Sequence, residues 1–410
     1  MSNGTILICD DDQTRVNDWK ERLEQLKIPF TVQGLAGKGL GDAIEALGRR
    51  REESRKRHKR AATWEEHQFD RSAILILDYD LLNVDPTSSM NGENVAYLAR
   101  CYSRCGLIIG LNRYDRENAF DLTLGGHPES YADLNLSADQ LDNSGLWSQP
   151  WTGFRPWYWP LLPQAVAALE GRIAHLRRHL DDKILTFLGF PAEAISLLPR
   201  SMIEYLGGDK AAAEATFRDF VQKSSMGLRL KDEVLDNTLV ARVAAARVGK
   251  WLERVVLPGQ DVLVDAPHLA LRFPSLLTGD IRKLGTWNAS ASLFPPKSLW
   301  PGKTQLRHKI QRHGFRAEDW LSRDAWFWSD LTKLEAIKEV RNPWSVERPD
   351  FVFCEDVSRF LQRREAREFV ADLASPFVRR HVVDPDLCSD HKLAKTLRGV
   401  NYRPKVRFAI

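Results

Sequence analysis

Two apolar runs of this chain lead directly into clusters of acids. Residues 5–9 (TILIC) are followed at once by Asp10, Asp11 and Asp12, and residues 73–77 (AILIL) by Asp78, Tyr79 and Asp80. Carboxylates gathered in one place repel each other unless a cation sits among them, and an all-oxygen set suits a hard ion such as Mg²⁺. A carboxylate in that setting is also a competent nucleophile for phosphoryl transfer. Both kinds of chemistry require the two runs to end side by side, so the elements that carry them decide the matter.

Both runs lack helical periodicity, and each precedes an amphipathic stretch: residues 14–26 after the first, residues 93–102 after a loop containing Pro86 and Gly92. Further strands are expected at 30–35 and 106–111 (GLIIGL), with a long polar helix over 41–67. Strands that are apolar throughout and separated by helices specify a parallel sheet covered on both faces. In an open sheet of that kind, loops at the carboxyl ends of neighbouring strands converge on one crevice. The expected fold class is α/β, a doubly wound parallel sheet, followed by a larger, mostly helical α+β region.

At these residues, positions 1–140 resemble the receiver domain of bacterial response regulators, the CheY-like fold. The resemblance implies strand order 2-1-3-4-5 and Mg²⁺ held by Asp10, Asp11, Asp78 and the backbone carbonyl of Asp80. It also implies phosphorylation of Asp78 by a histidine kinase, with the chain's own catalysis limited to gaining and losing that phosphoryl group. The chain departs from the pattern at two places. Asn112 stands where the family has a Ser or Thr after the fourth strand, and 131–140 (YADLNLSADQ) offers Ser137 and Ala138 but no phosphate-pairing lysine. Two alternatives stay open: a pseudo-receiver switched by a partner, and a phosphatase of D-x-D type with Asp78 as nucleophile and Asp80 as general acid.

The 410 residues exceed a single small module, and 43% hydrophobic with 28% charged residues is a globular composition. No run of about 18 uncharged apolar residues occurs, which argues against a membrane span. The N-terminus is too acidic for a signal peptide, and five cysteines without C-x-x-C spacing suit a reducing compartment, so a cytoplasmic location is expected. The formal charge of +4 hides an asymmetry: residues 1–150 carry 18 Lys and Arg against 24 Asp and Glu, and the remainder is correspondingly basic. A Trp/Pro-rich stretch at 143–163 marks a boundary. The expected organisation is 1–142 receiver-like, 143–163 linker, 164–293 helical and 294–410 α+β.

Apolar residues at 162, 166, 169, 173, 176, 180, 184 and 187 lay one stripe along an expected helix, either packed on its own domain or pairing in a homodimer. Helices are also expected at 210–222, 235–256 and 325–340. The basic run 49–60, together with 306–316, 377–381 and 397–408, raises nucleic acid as a partner, although no recognised binding motif accompanies them. His175 and His179, the set Cys354, His381, Cys388 and His391, and the acidic CEDVS at 354–358 are weaker candidates, each with a plain structural explanation. The function expected is phosphorylation-controlled signalling, in which Asp78 alters dimerisation or surface exposure of the C-terminal half. The alternative is a partner- or nucleic-acid-binding effector that works without phosphorylation.

Overall fold

The computed structural model describes residues 4–56, 65–81, 90–112, 118–119, 130–196, 198–207, 213–223, 236–277, 279–292, 317–333, 350–369 and 379–402. The apolar runs form the strands they suggest: β1 (Gly4–Asp10), β2 (Phe30–Ala36), β3 (Ser72–Asp78), β4 (Leu107–Asn112) and β5 (Leu134–Ser137). All pair in parallel in the order β2-β1-β3-β4-β5. Ile6, Ile8, Ile74, Ile76, Ile108 and Ile109 are fully buried, as strands covered on both faces require. The cover is α1 (Gln13–Gln25), α2 (Gly37–Lys56) and α3 (Gly92–Tyr102). Within α2, Arg50 does not face solvent: it is ion-paired with the half-buried Asp70 at 2.8 Å and donates to the Tyr102 carbonyl.

The second half contains α4 (Leu162–Leu176), α5 (Asn237–Trp251) and α6 (Ala266–Arg272). Strands β6 (Leu263–Asp265) and β7 (Ala325–Phe327) pair antiparallel. A four-stranded sheet, order β9-β8-β11-β10, is built from β8 (Phe351–Cys354), β9 (Arg359–Gln362), β10 (Ala366–Phe369) and β11 (Arg380–Val383). Several helical expectations change: among the described residues, the helix expected over 41–67 ends at Lys56, with 65–67 not helical, and that over 210–222 is helical only from Phe217. The stripe over 162–187 is buried as expected at Leu169, Ile173 and Leu176, but its helix stops at Leu176. Residues 180–184 then bond to 215–218 instead: the Leu180 carbonyl accepts from Arg218, and the Ile184 N–H donates to Ala215. Because the stripe packs against α5 within this chain, it is not left over for a second copy. The expected helix at 325–340 begins as β7, because Trp326 pairs with Val264 of β6. Residues 334–340 of it lie outside the described residues.

The stretch at 143–163 is embedded in the molecule. Phe154, Arg155, Trp157 and Trp159 are buried, and the Arg155 and Trp157 N–H groups donate to the carbonyls of Asp356 and Glu355. The CEDVS segment offers no open site, since Glu355 and Asp356 are buried. It is the turn between β8 and β9, with Ser358 at φ +52°, and its acids point inward. Asp356 accepts from the Val383 N–H and the Tyr402 hydroxyl.

What joins the two halves is a row of cations on α5 and its continuation. Arg242 donates to the carbonyls of Arg104 and Cys105, Arg247 to that of Ser130, and Lys250 to those of Ser130 and Ala132, at 2.9 and 2.7 Å. These carbonyls belong to the loops that enter β4 and β5, so the helix satisfies backbone groups that burial would otherwise leave unpaired. Burial pulls the Lys250 ammonium well below its ordinary pKa. Replacing Lys250 with Met should remove about 2–4 kcal/mol of stability, read by urea unfolding, because two buried carbonyls lose a charged donor.

A second buried network fixes α6 to the four-stranded sheet. Asp265 caps α6 and accepts from Trp157 Nε1 at 2.6 Å and from His268 Nδ1 at 2.5 Å, while His268 Nε2 lies 3.4 Å from Glu355, itself paired with Arg380 at 2.9 Å. Burial lowers the imidazole pKa, but the Asp265 charge and the hydrogen bonds with Asp265 and Glu355 outweigh it and raise it to about 8. A histidine raised above its ordinary 6.5 stabilises fully below that pH, and the contribution is lost as pH climbs through 8. Stability should therefore fall between pH 7 and 9 by on the order of 2 kcal/mol, with the slope removed in His268→Gln. Thermal unfolding across that range checks it.

Candidate acidic site

The site stands at the carboxyl edge of the parallel sheet, where β1 and β3 are neighbours and end together. Asp10 is the last residue of β1 and Asp78 the last of β3, and both are buried, at 0% and 3% exposure. Asp11 follows as the chain leaves the sheet. Carboxylate oxygens of Asp10, Asp11 and Asp78 all lie within 4.8 Å of one another, the only such group of potential metal ligands among the described residues. Asp12 does different work: its side chain caps α1 by accepting from the Thr14 N–H at 2.8 Å.

The structure adds a residue that the strand-end pattern did not supply. Arg15, on the first turn of α1, sends Nη1 back into the cluster. It lies 3.3 Å from Asp10 Oδ1, 3.6 Å from Asp11 Oδ1 and 3.2 Å from Asp78 Oδ2, with Nε 3.4 Å from Asp12. The signal for it was present, since helical side chains lean toward the N-terminus and Asp11 and Arg15 are spaced i, i+4. Burial partly disfavours the guanidinium, yet the charges of Asp10, Asp78 and Asp11 raise its pKa. Asp10 moves the other way from a normal acid: burial first, then its hydrogen bond with Asp11 and the Asp78 charge, push it up to about 7. The Asp12 N–H and Arg15 only partly oppose this.

Around the cluster, Asn112 ends β4 in register with Ser137 at the end of β5, and the Tyr79 N–H donates to the Leu111 carbonyl at 2.8 Å. Helix α3 starts immediately beneath: a side chain at Gly92 would overlap the Asp78 carbonyl, and the Gly92 N–H donates to Tyr79. Glycine is what lets the helix approach the strand end so closely. Asp80 lies beyond, with its side chain exposed and outside the cluster. The chain therefore brings together Asp10, Asp11 and Asp78, with Asn112 at the adjacent strand end.

No protein-family model, no curated protein and no solved structure matches this chain.

The other candidate groups do not assemble into ligand sets. His175 and His179 stack their rings 5.0 Å apart beside Phe187, and His179 bonds Asp182. Among the described residues, Cys354, His381, Cys388 and His391 do not come together as metal ligands, and all five cysteines are buried free thiols. No helix of the described residues is long and apolar enough to cross a membrane. Residues 306–316, one of the basic segments, lie outside the described residues.

The donor set fits a hard divalent cation, since three carboxylates offer only oxygen, but Arg15 already compensates their charge. Arg15→Met should lower stability by about 1–3 kcal/mol without divalent ions, because it leaves like charges buried together. In return it should enlarge the thermal stabilisation given by millimolar Mg²⁺ relative to wild type. Paired melting curves with and without the ion read both effects.

Proposed function

We propose that the N-terminal domain is a receiver-type switch in which Asp78 accepts a phosphoryl group from a histidine kinase, and that the C-terminal body is its output. The observation that carries this reading is the convergence of Asp10, Asp11 and Asp78 at the carboxyl edge of a parallel sheet ordered 2-1-3-4-5. Asp10, Asp11 and Asp78, with the Asp80 carbonyl, would hold Mg²⁺, which when bound neutralises charge gathering on the transferred group. The chain's residues do the rest. An Asp78 carboxylate oxygen forms the new bond to phosphorus as the donor nitrogen leaves, and its burial keeps competing water away. Arg15, already 3.2 Å from Asp78, pairs with the phosphoryl oxygens in place of the lysine that 131–140 lacks. The Asn112 amide, at the end of the neighbouring strand, donates a hydrogen bond where a hydroxyl is usual.

The output route runs through α5. That helix carries the cations seated on the loops entering β4 and β5, so a shift of those strands changes how the body docks. A second reading is favoured by Arg15 itself. A cation built into the acidic cluster gives a pseudo-receiver charge balance without metal or phosphate, and a partner protein then supplies the signal. Nucleic acid as that partner draws no support from Arg155, Arg242, Arg247, Lys250, Arg254, Arg323 and Arg380, which are buried.

The test is treatment with Mg²⁺ and acetyl phosphate, followed by intact mass, with Asp78→Asn as control. The receiver reading expects one phosphoryl adduct, absent in the mutant. No adduct, together with no Mg²⁺ stabilisation of the wild type, would establish the pseudo-receiver instead. Beryllofluoride with light scattering separately reports whether activation changes oligomeric state.

A further inference from the structure

A cavity of about 310 Å³ lies at the opposite edge of the parallel sheet from the acidic cluster, between α4, α5 and the segment at 158–161. Much of its wall is hydrocarbon, from Leu107, Leu161, Ala165, Ala168, Ala246 and Leu321. Three cations line it: Arg172, Lys250, and Arg254, which donates to the Tyr158 carbonyl. Arg172 makes no hydrogen bond or ion pair with any described residue; its Nε is buried, and its guanidinium lies over the Trp320 ring at 5.6 Å. A cradle is built for it, because a side chain at Gly249 would overlap its Nη1 and come within 2.8 Å of its Cζ. Lys250, adjacent on α5 and 6% exposed, uses its ammonium on the Ser130 and Ala132 carbonyls, which leaves one of three donors.

Buried donors without acceptors are costly, and a guanidinium fork beside an ammonium matches a carboxylate in shape and charge. The acids in the same wall set the limit on the ligand's charge. Asp133 is held by Arg100 and Glu253 by Arg323; neither hydrogen-bonds Arg172, but with Asp319 their charges act on it through space and repel a dianion. The apolar wall asks for a short hydrocarbon body. We propose that this cavity binds a small organic monocarboxylate, with Arg172 and Lys250 on the carboxylate and the Leu and Ala side chains around the body. The site is independent of chemistry at Asp78. Its occupant would touch both α5 and Asp133, whose carboxylate also accepts from the Ile108 N–H of β4 at 2.7 Å.

Calorimetric titration of the full chain with octanoate, 1-octanol and octyl phosphate tests this. Octanoate should saturate one site, and the neutral alcohol and the dianionic phosphate should each bind roughly tenfold or more weakly. Arg172→Met, which breaks no hydrogen bond, should weaken octanoate by a similar factor while leaving circular dichroism unchanged. Ala168→Phe should block octanoate by filling the cavity with Arg172 intact. The proposal is overturned by absence of octanoate binding at millimolar concentration, by equal binding of octanol or octyl phosphate, or by unaltered binding in both variants.

Discussion

The molecule depends on the seating of α5. Its cations, buried beside the parallel sheet, end on backbone carbonyls at the loops that lead into β4 and β5. Carbonyls with two lone pairs can take such donors without a carboxylate present, and the charge is then spread over peptide dipoles. The arrangement explains why α5 is buried on nearly every side while carrying Arg242, Arg247 and Lys250. A helix that was apolar all round would leave those loop carbonyls unsatisfied; an exposed basic helix would not pack. Asp133 and the wall of the cavity lie directly beside this contact.

At the other edge of the same sheet the electrostatic problem is reversed. Three carboxylates are forced together by two adjacent strands ending in register, and the protein answers with one guanidinium and a raised pKa at Asp10. Arg15 bridges all three acids, and Asp10, raised to about 7 mainly by burial, relieves part of the remaining repulsion by staying partly protonated near neutrality. An acidic cluster balanced in this way is stable at rest and is sensitive to any ion or group that competes with Arg15. That sensitivity is what a switch needs, whichever input operates it.

Much of the first domain was legible because its determinants are local. TILIC and AILIL are apolar on both faces, which only a covered parallel sheet accommodates, and acids directly after each place charge at the carboxyl edge. Arg15 escaped that reading because it lies on the helix and not at a strand end. The second half was harder for a physical reason: its strands are three or four residues long and are selected by distant partners. Trp326 becomes a strand residue through Val264, and Cys354 pairs with His381. The helix at 162–187 shows the same override. The burial stripe was right, but the helix is interrupted between Leu176 and Ile184, where hydrogen bonds run to 215–218.

Charge counting shows most clearly where composition misleads. The excess of Lys and Arg beyond residue 150 invites a picture of a basic surface, yet Arg155, Arg242, Arg247, Lys250, Arg254, Arg323 and Arg380 lie in the interior, some on carbonyls, some on buried acids such as Glu355. A buried cation cannot contact a polyanion in solution, so these side chains are not part of a binding surface. The consequence is architectural. Cations on α5 hold the two halves of one chain together, and the Arg172 guanidinium, with no hydrogen-bond acceptor among the described residues, lies in a cavity at their junction. Part of the charge asymmetry between the two halves, read from sequence as a sign of external binding, is in this fold used for internal docking.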